Sequence, residues 1–339
     1  MNKKYSELAE LFRSEKTDEE ILDFLLNYHK NDIADMMAGM TEEERKRLYH
    51  LLGAQKVAEI FKYIEEPRKY IRELSVESAA RVISEMDSDD AVDLLEDLDP
   101  EEKEQIVRML DEDAKKDVKM LLSYDEEEIG SCMTTNYICI PENLTIRQAM
   151  SELVKQAGEN DNIMTIYVVD EKGVFAGAID LKDLIRAREN AHLEDLVLKS
   201  YPYVTDHEKI DDCMDRILDY AEDSIPVLSE DKKILGVITS EDLIEMVDNE
   251  MGEDYAKLAG LTAEEDLKEP TLQSMKKRLP WLIILLFLGM AVSSVVGLFE
   301  NVVAVLPIVI CFQSLVLDMA GNVGTQSLAV TIRVLMDEN

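Results

Sequence analysis

The chain has 339 residues, with 36 basic and 72 acidic side chains and a formal net charge of −36. A surface of that sign repels nucleic acid and anionic lipid, which argues against both as partners of the soluble part. None of the 4 cysteines forms a CxxC pair or a zinc-like spacing with the 4 histidines, so they read as reduced, mostly buried thiols.

The N-terminal MNKKYSELAE lacks the apolar core of a signal peptide, which places the first part of the chain in the cytoplasm. Residues 1–128 read as short helices. Apolar residues recur at three- and four-residue spacing in Ala34–Met40, Ala58–Ile64, Ala80–Met86 and Val92–Leu98, each a narrow stripe on a charged helix. Their similarity predicts a superhelical α-helical repeat in which neighbours bury one another's stripes. Thr41-Glu-Glu-Glu44 has the pattern of a capping box, Ser75 has that of a simpler N-cap, and Asp99-Pro100 marks a turn and restart.

Residues 129–250 change character. Ile166–Ile185 and Ile225–Ile244 align without a gap, placing Gly177 on Gly236 and Asp183 on Asp242. This predicts a tandem α/β repeat of strand, strand and helix, divided into 129–190 and 191–250. The pattern Gly236, Thr239, Asp242, Leu243 resembles that of a pair of CBS domains. The resemblance implies a pseudo-two-fold module that senses a small ligand.

From Asp242 a helical pattern continues to about residue 267, within a predicted connecting segment over 242–270, and Pro270 ends it. Lys276, Lys277 and Arg278 then precede residues 279–299, which carry no charge. About 20 apolar residues cross a bilayer as a helix, and a basic flank stays inside. The predicted transmembrane region is 276–339, with spans at 279–299 and 302–333. Residues 302–332 hold a single charge, Asp318. Gly321 and Gly324 flank Asn322 and Pro307 lies upstream, a composition that weakens a helix. Asp318, Asn322, Thr325 and Gln326 would bring oxygen ligands to that depth, which suits a hard cation such as Mg²⁺. Packing through small residues is the alternative reading. No P-loop, nucleophile–base pair or histidine cluster suggests an enzyme.

Taken together, the order of parts resembles the MgtE family of Mg²⁺ transporters. The residues that carry the likeness are Tyr124-Asp-Glu-Glu-Glu-Ile-Gly130 with Met133-Thr134, Leu279-Pro-Trp-Leu282 with Gly289-Met290, and Gly321-Asn322-x-Gly324-x-Gln326-Ser327. The resemblance implies a homodimeric, Mg²⁺-selective, multi-pass channel of the cytoplasmic (inner) membrane, with five spans per subunit and the second and fifth lining the pore. With two spans in 339 residues, the chain is expected to be a truncated member that does not conduct alone. The family also implies regulation, in which Mg²⁺ bound between acidic faces of the helical domain, the CBS pair and a connecting plug helix favours the closed state. Two facing carboxylates repel by roughly 4 kcal/mol at close range and an effective dielectric near 20. The residues expected to hold regulatory Mg²⁺ are Asp89, Asp90 and Asp93 facing Asp242, with Glu253 and Asp254 on the plug helix and Asp211 further off. An acidic position of the family is filled by Ala221, with Asp219 and Glu222 nearby. An alternative is a membrane-tethered CBS regulator of adenine-nucleotide type, in which Thr239 and Asp242 contact ATP. Against that, Asp180 stands where a Thr or Ser is expected in the first repeat, and Tyr220 is the one aromatic residue within 219–224.

Overall fold

The computed structural model describes residues 17–64, 66–158, 160–188, 191–247, 271–299 and 307–338. The expected plug helix beyond residue 247, with Glu253 and Asp254, and the turn at Glu300-Asn301 lie outside the described residues.

Residues 17–121 form helices only, running from Asp18–Leu25 to Glu112–Leu121. Their starts follow from side chains that can accept an otherwise unpaired N–H. Thr17 and Thr41 make full capping boxes, Ser75 caps Ser78, and Pro100 opens a helix at the position where no N–H is needed. The four apolar stripes all face inward, through residues such as Met37, Phe61, Ile83 and Leu95. An ion pair, Arg45–Glu73, is buried with them, and Arg45 Nε donates to Glu73 Oε2 at 2.8 Å. The helix Glu42–Phe61 breaks at Gly53, whose φ of 77° is left-handed and open to glycine without strain.

The α/β half repeats itself. Strand β1 (Ile138–Pro141) pairs parallel with β2 (Thr165–Val169), which pairs antiparallel with β3 (Phe175–Asp180). Strands β4 (Val204–Thr205), β5 (Ser224–Leu228) and β6 (Ile234–Thr239) form the same arrangement. Even the register irregularity recurs, between Val168 and Val169 and between Val227 and Leu228. The aligned glycines have one shared cause. At Gly177 a Cβ would meet Leu198 O at 2.5 Å, and at Gly236 it would meet Thr134 O at 2.7 Å. Each repeat is therefore crossed by the backbone that leads into the other. Thr134 exchanges 2.9 Å hydrogen bonds with Val237, and Leu198 N donates to Ala178 O at 2.8 Å. Tyr167, Ala178, Tyr201 and Val237 fill the space between the repeats, where the Tyr167 hydroxyl meets Ser224 Oγ at 2.6 Å.

From Ile244 onward the chain forms a second compact unit containing helices Thr271–Leu298 and Pro307–Glu338. The latter runs unbroken through Gly321 and Gly324 where a weakened helix was expected. The composition does not break it because each i→i−4 bond is intrinsic to the backbone and glycine removes none of them. Among the described residues no helix is long and apolar enough to cross a membrane.

Candidate metal site at the acidic junction

The helical half meets the repeats through the helix Ser88–Glu96. Its sequence SDDAVDLLE buries Ala91, Val92, Leu94 and Leu95 against the helical core, which leaves its aspartates along the opposite side. Ser88 fixes the N-terminal end, its hydroxyl donating to Met133 O at 3.5 Å and accepting from Thr135 N at 2.9 Å. Thr135 Oγ1 donates to Asp117 at 2.8 Å, and Asn136 Nδ2 donates to Asp87 at 2.8 Å.

This docking confines charge. Asp89 is desolvated, and burial drives its carboxyl well above the usual range, with the charges of Asp242, Asp90 and Asp87 adding to the effect. Its Oδ1 is buried without a hydrogen-bond partner, a costly state for a carboxylate oxygen. Burial likewise raises Asp90, against the attraction of Lys62 at 3.4 Å. Asp242 is pushed from 3.8 to about 6 by burial, with Asp90 and Glu241 adding to the rise. Its capping exchange works the other way. Thr239 N donates to Asp242 Oδ2 at 2.7 Å, and Asp242 N donates to Thr239 Oγ1 at 3.3 Å, at the start of a helix over 240–247. The Cys132 thiol reports the same convergence, being raised first by burial and then by Asp93, Asp242 and Asp89. Lys62 is paired into this cluster, bridging Asp87 and Asp90. Burial pulls its ammonium down, but the aspartates more than offset that and hold it charged.

The structure thus brings Asp89, Asp90, Asp93 and Asp242 to one junction. Asp211 is not drawn in; it stands exposed in the first turn of Ile210–Tyr220 and attracts Lys209. Among the described residues no group of three or more His, Cys, Asp or Glu is arranged to hold a metal ion. The donors nonetheless fit a hydrated hard cation, because Mg²⁺ is commonly bound through one or two carboxylates while keeping several waters. Lys62 and Cys132 escaped the sequence reading. Neither has a local signal, since each reaches the site through tertiary packing.

A second feature lies in the other face of the later repeat. A cleft of about 480 Å³ is lined by Lys199, Tyr201, Tyr203, Arg216 and Tyr220. Thr239 and Asp242, the expected nucleotide contacts, do not line this cleft. Tyr201 and Tyr203, on Lys199-Ser-Tyr-Pro-Tyr203, lie outside residues 219–224. In helix Pro307–Glu338, Asn322 Nδ2 donates to Asp318 Oδ2 at 3.5 Å and Thr325 Oγ1 donates to Gly321 O at 3.0 Å.

Comparison with known proteins bears on both features. Residues 28–127 match the family model of the MgtE intracellular N domain, and residues 127–190 and 193–249 match that of the CBS domain. The chain is 39% identical over 339 residues to magnesium transporter MgtE of Enterococcus faecalis, covering 99% of this chain and 74% of that relative. The crystal structure of the soluble part of a magnesium transporter superposes with a TM-score of 0.69 at 30% identity, over 73% of this chain and 98% of the other. That of the cytosolic domain of the Mg²⁺ channel MgtE in complex with ATP gives 0.64 at 26% identity, over 71% and 99%.

Proposed function

The chain belongs to the MgtE family of magnesium transporters, and on that premise we propose that it is a channel subunit whose cytosolic half senses Mg²⁺ at the Asp89–Asp242 junction. The observation that carries the reading is the buried Asp89 oxygen without a partner, beside a carboxyl already raised to about 6. Mg²⁺ bound there would supply two positive charges between faces that otherwise repel. Asp89 and Asp90 present one face and Asp242 the other, while Lys62 holds Asp87 and Asp90 in position. Without the ion, the helical domain leaves the repeats more readily, and the segment that follows Asp242 is released. Because the ion binds the docked state better, it shifts the population by that difference in affinity and no more.

The membrane part of the proposal rests on residues 279–299 and on exposed apolar side chains such as Leu282, Ile284, Leu286 and Phe287, which suit lipid or neighbouring helices rather than water. In this reading the N-terminal half lies in the cytoplasm, the protein is a homodimer in the inner membrane, and Asp318, Asn322, Thr325 and Gln326 face the ion path with Mg²⁺ as cargo. Protease protection of residues 17–247 in the full chain tests the sensor. Protection should rise on adding millimolar Mg²⁺ in the native chain and stay flat in the double variant Asp89→Asn, Asp242→Asn. An unchanged Mg²⁺ response in that variant refutes the assignment.

A nucleotide reading is favoured by one observation, the tyrosine-lined cleft with Lys199 and Arg216 at its rim. Aromatic faces stack bases, and Lys and Arg take phosphates. We place ATP there, as a modulator of the same sensor rather than as the signal itself.

A further inference from the structure

The helical domain holds a cavity of about 300 Å³ between the helices Glu42–Phe61 and Val76–Ser84. Its basic side chains are Lys46, His50 and Arg81, and no carboxylate is among the lining residues. In a chain with 72 acidic and 36 basic side chains, a wall of one sign, and of the minority sign, marks out a place for an anion. The floor is different in kind, formed by Val57, Leu74 and Val82, of which Val57 and Val82 are buried.

The backbone adds to the cations. At Gly53 the ψ of 170° together with the left-handed φ ends one helical stretch, and a second begins at Ala54. Gly53, Ala54 and Val57 all line the cavity, so the first turn of the restarted stretch forms part of the wall, and the start of a helix favours an anion. The space beside Gly53 is open, with no atom within 4 Å of where a Cβ would stand. Ser78 contributes a hydroxyl, already bonded by Arg81 Nη2 at 3.3 Å, and the Arg81 Nε is tied to Glu77 O at 3.3 Å, which holds the guanidinium at the rim. Glu42 is paired to Lys46 along the helix surface at 2.5 Å, and both are exposed. An exposed pair of this kind is weak and yields readily to a multiply charged ligand.

We propose that this cavity binds a small phosphate monoester. Its phosphoryl oxygens would lie among Lys46, His50, Arg81 and the restarted helix turn, and its organic part on Val57, Leu74 and Val82. A dianion with three acceptor oxygens matches a guanidinium, an ammonium and a hydroxyl better than a single carboxylate does. The volume, near the lower limit for ligand sites, admits a small organic phosphate. The helical domain that carries the Mg²⁺ junction thereby also reads a phosphorylated metabolite.

Calorimetric titration of the full chain with phenyl phosphate and with inorganic phosphate, in chelator to remove Mg²⁺, tests this. Phenyl phosphate should bind saturably and more tightly than inorganic phosphate because it also covers the apolar floor. The double variant Lys46→Gln, Arg81→Gln should weaken it by about tenfold or more. Lys199→Gln, Arg216→Gln, in the other cleft, should leave the affinity unchanged. If the first double variant fails to fold by circular dichroism, Lys46→Glu on an exposed side chain must give the same loss. Absence of saturable binding, affinity retained in the Lys46 variants, or loss in the Lys199 and Arg216 variant instead, overturns the proposal.

Discussion

The two α/β repeats share the pairing of their antiparallel strands residue for residue, yet the same position in each has a different fate. Asp183 is exposed in the first turn of the helix Leu181–Arg186, which begins without a side-chain cap. Asp242, its counterpart, is capped by Thr239, half-buried and raised to about 6 under the influence of Asp90 and Glu241. The strands, the glycines and the crossing backbone are common to both, whereas the helical domain faces only one of these two aspartates with its acidic helix. The repeat supplies a scaffold, and the neighbour decides where chemistry can occur.

The symmetric half of that comparison predicts the largest effect. Gly177→Ala and Gly236→Ala each force a Cβ into backbone, at 2.5 Å from Leu198 O and 2.7 Å from Thr134 O, so each should cost about 2–4 kcal/mol. Hydrogen–deuterium exchange of the full chain should show lost protection in β3 and β6 respectively. Gly177 should suffer more, because its φ of 148° is itself in the region that disfavours a side chain. Tolerance at either position would break the claim that the repeats clasp each other by one device.

The asymmetric half predicts a smaller, pH-dependent effect. The folded-state pKa of Asp242 lies above its unfolded value, so its contribution is fully present below 3.8 and is lost as pH rises through about 6. In chelator, the docking of the helical domain should therefore weaken across that window, as read by protease accessibility. Asp242→Asn should flatten the curve, while Asp183→Asn, on the exposed counterpart, should leave it in place. Equal behaviour of the two variants would erase the distinction between the repeats.

The smallest effect concerns the other contact of the helical half with the second repeat. His207 bonds Glu128 at 3.0 Å beside Asp206, and that hydrogen bond leads the rise in its pKa. Its stabilisation is present below the ordinary histidine pKa of about 6.5 and fades as pH rises through the higher folded value. His207→Gln should remove a slight pH dependence in exchange protection of residues 125–130. The backbone bonds Ile129 N to Glu208 O and Gly130 N to Asp206 O, at 2.8 and 3.0 Å, persist and keep the change small.

The helical stripes, the caps at Thr41 and Ser75, the restart at Pro100 and the 59-residue spacing of the repeats were legible because each is a local or periodic pattern that backbone geometry reads directly. The aspartates of 87–93 were legible as a cluster too, since like charges crowded on a short helix call for a counter-ion. Tertiary packing alone decided which of them matter. It buried Asp89 with an oxygen unpartnered, brought Lys62 across from another helix to Asp87 and Asp90, left Asp211 in solvent, and set a cationic cavity inside an acidic domain. Burial and charge proximity depend on residues far apart in the chain, and no spacing along the sequence encodes them.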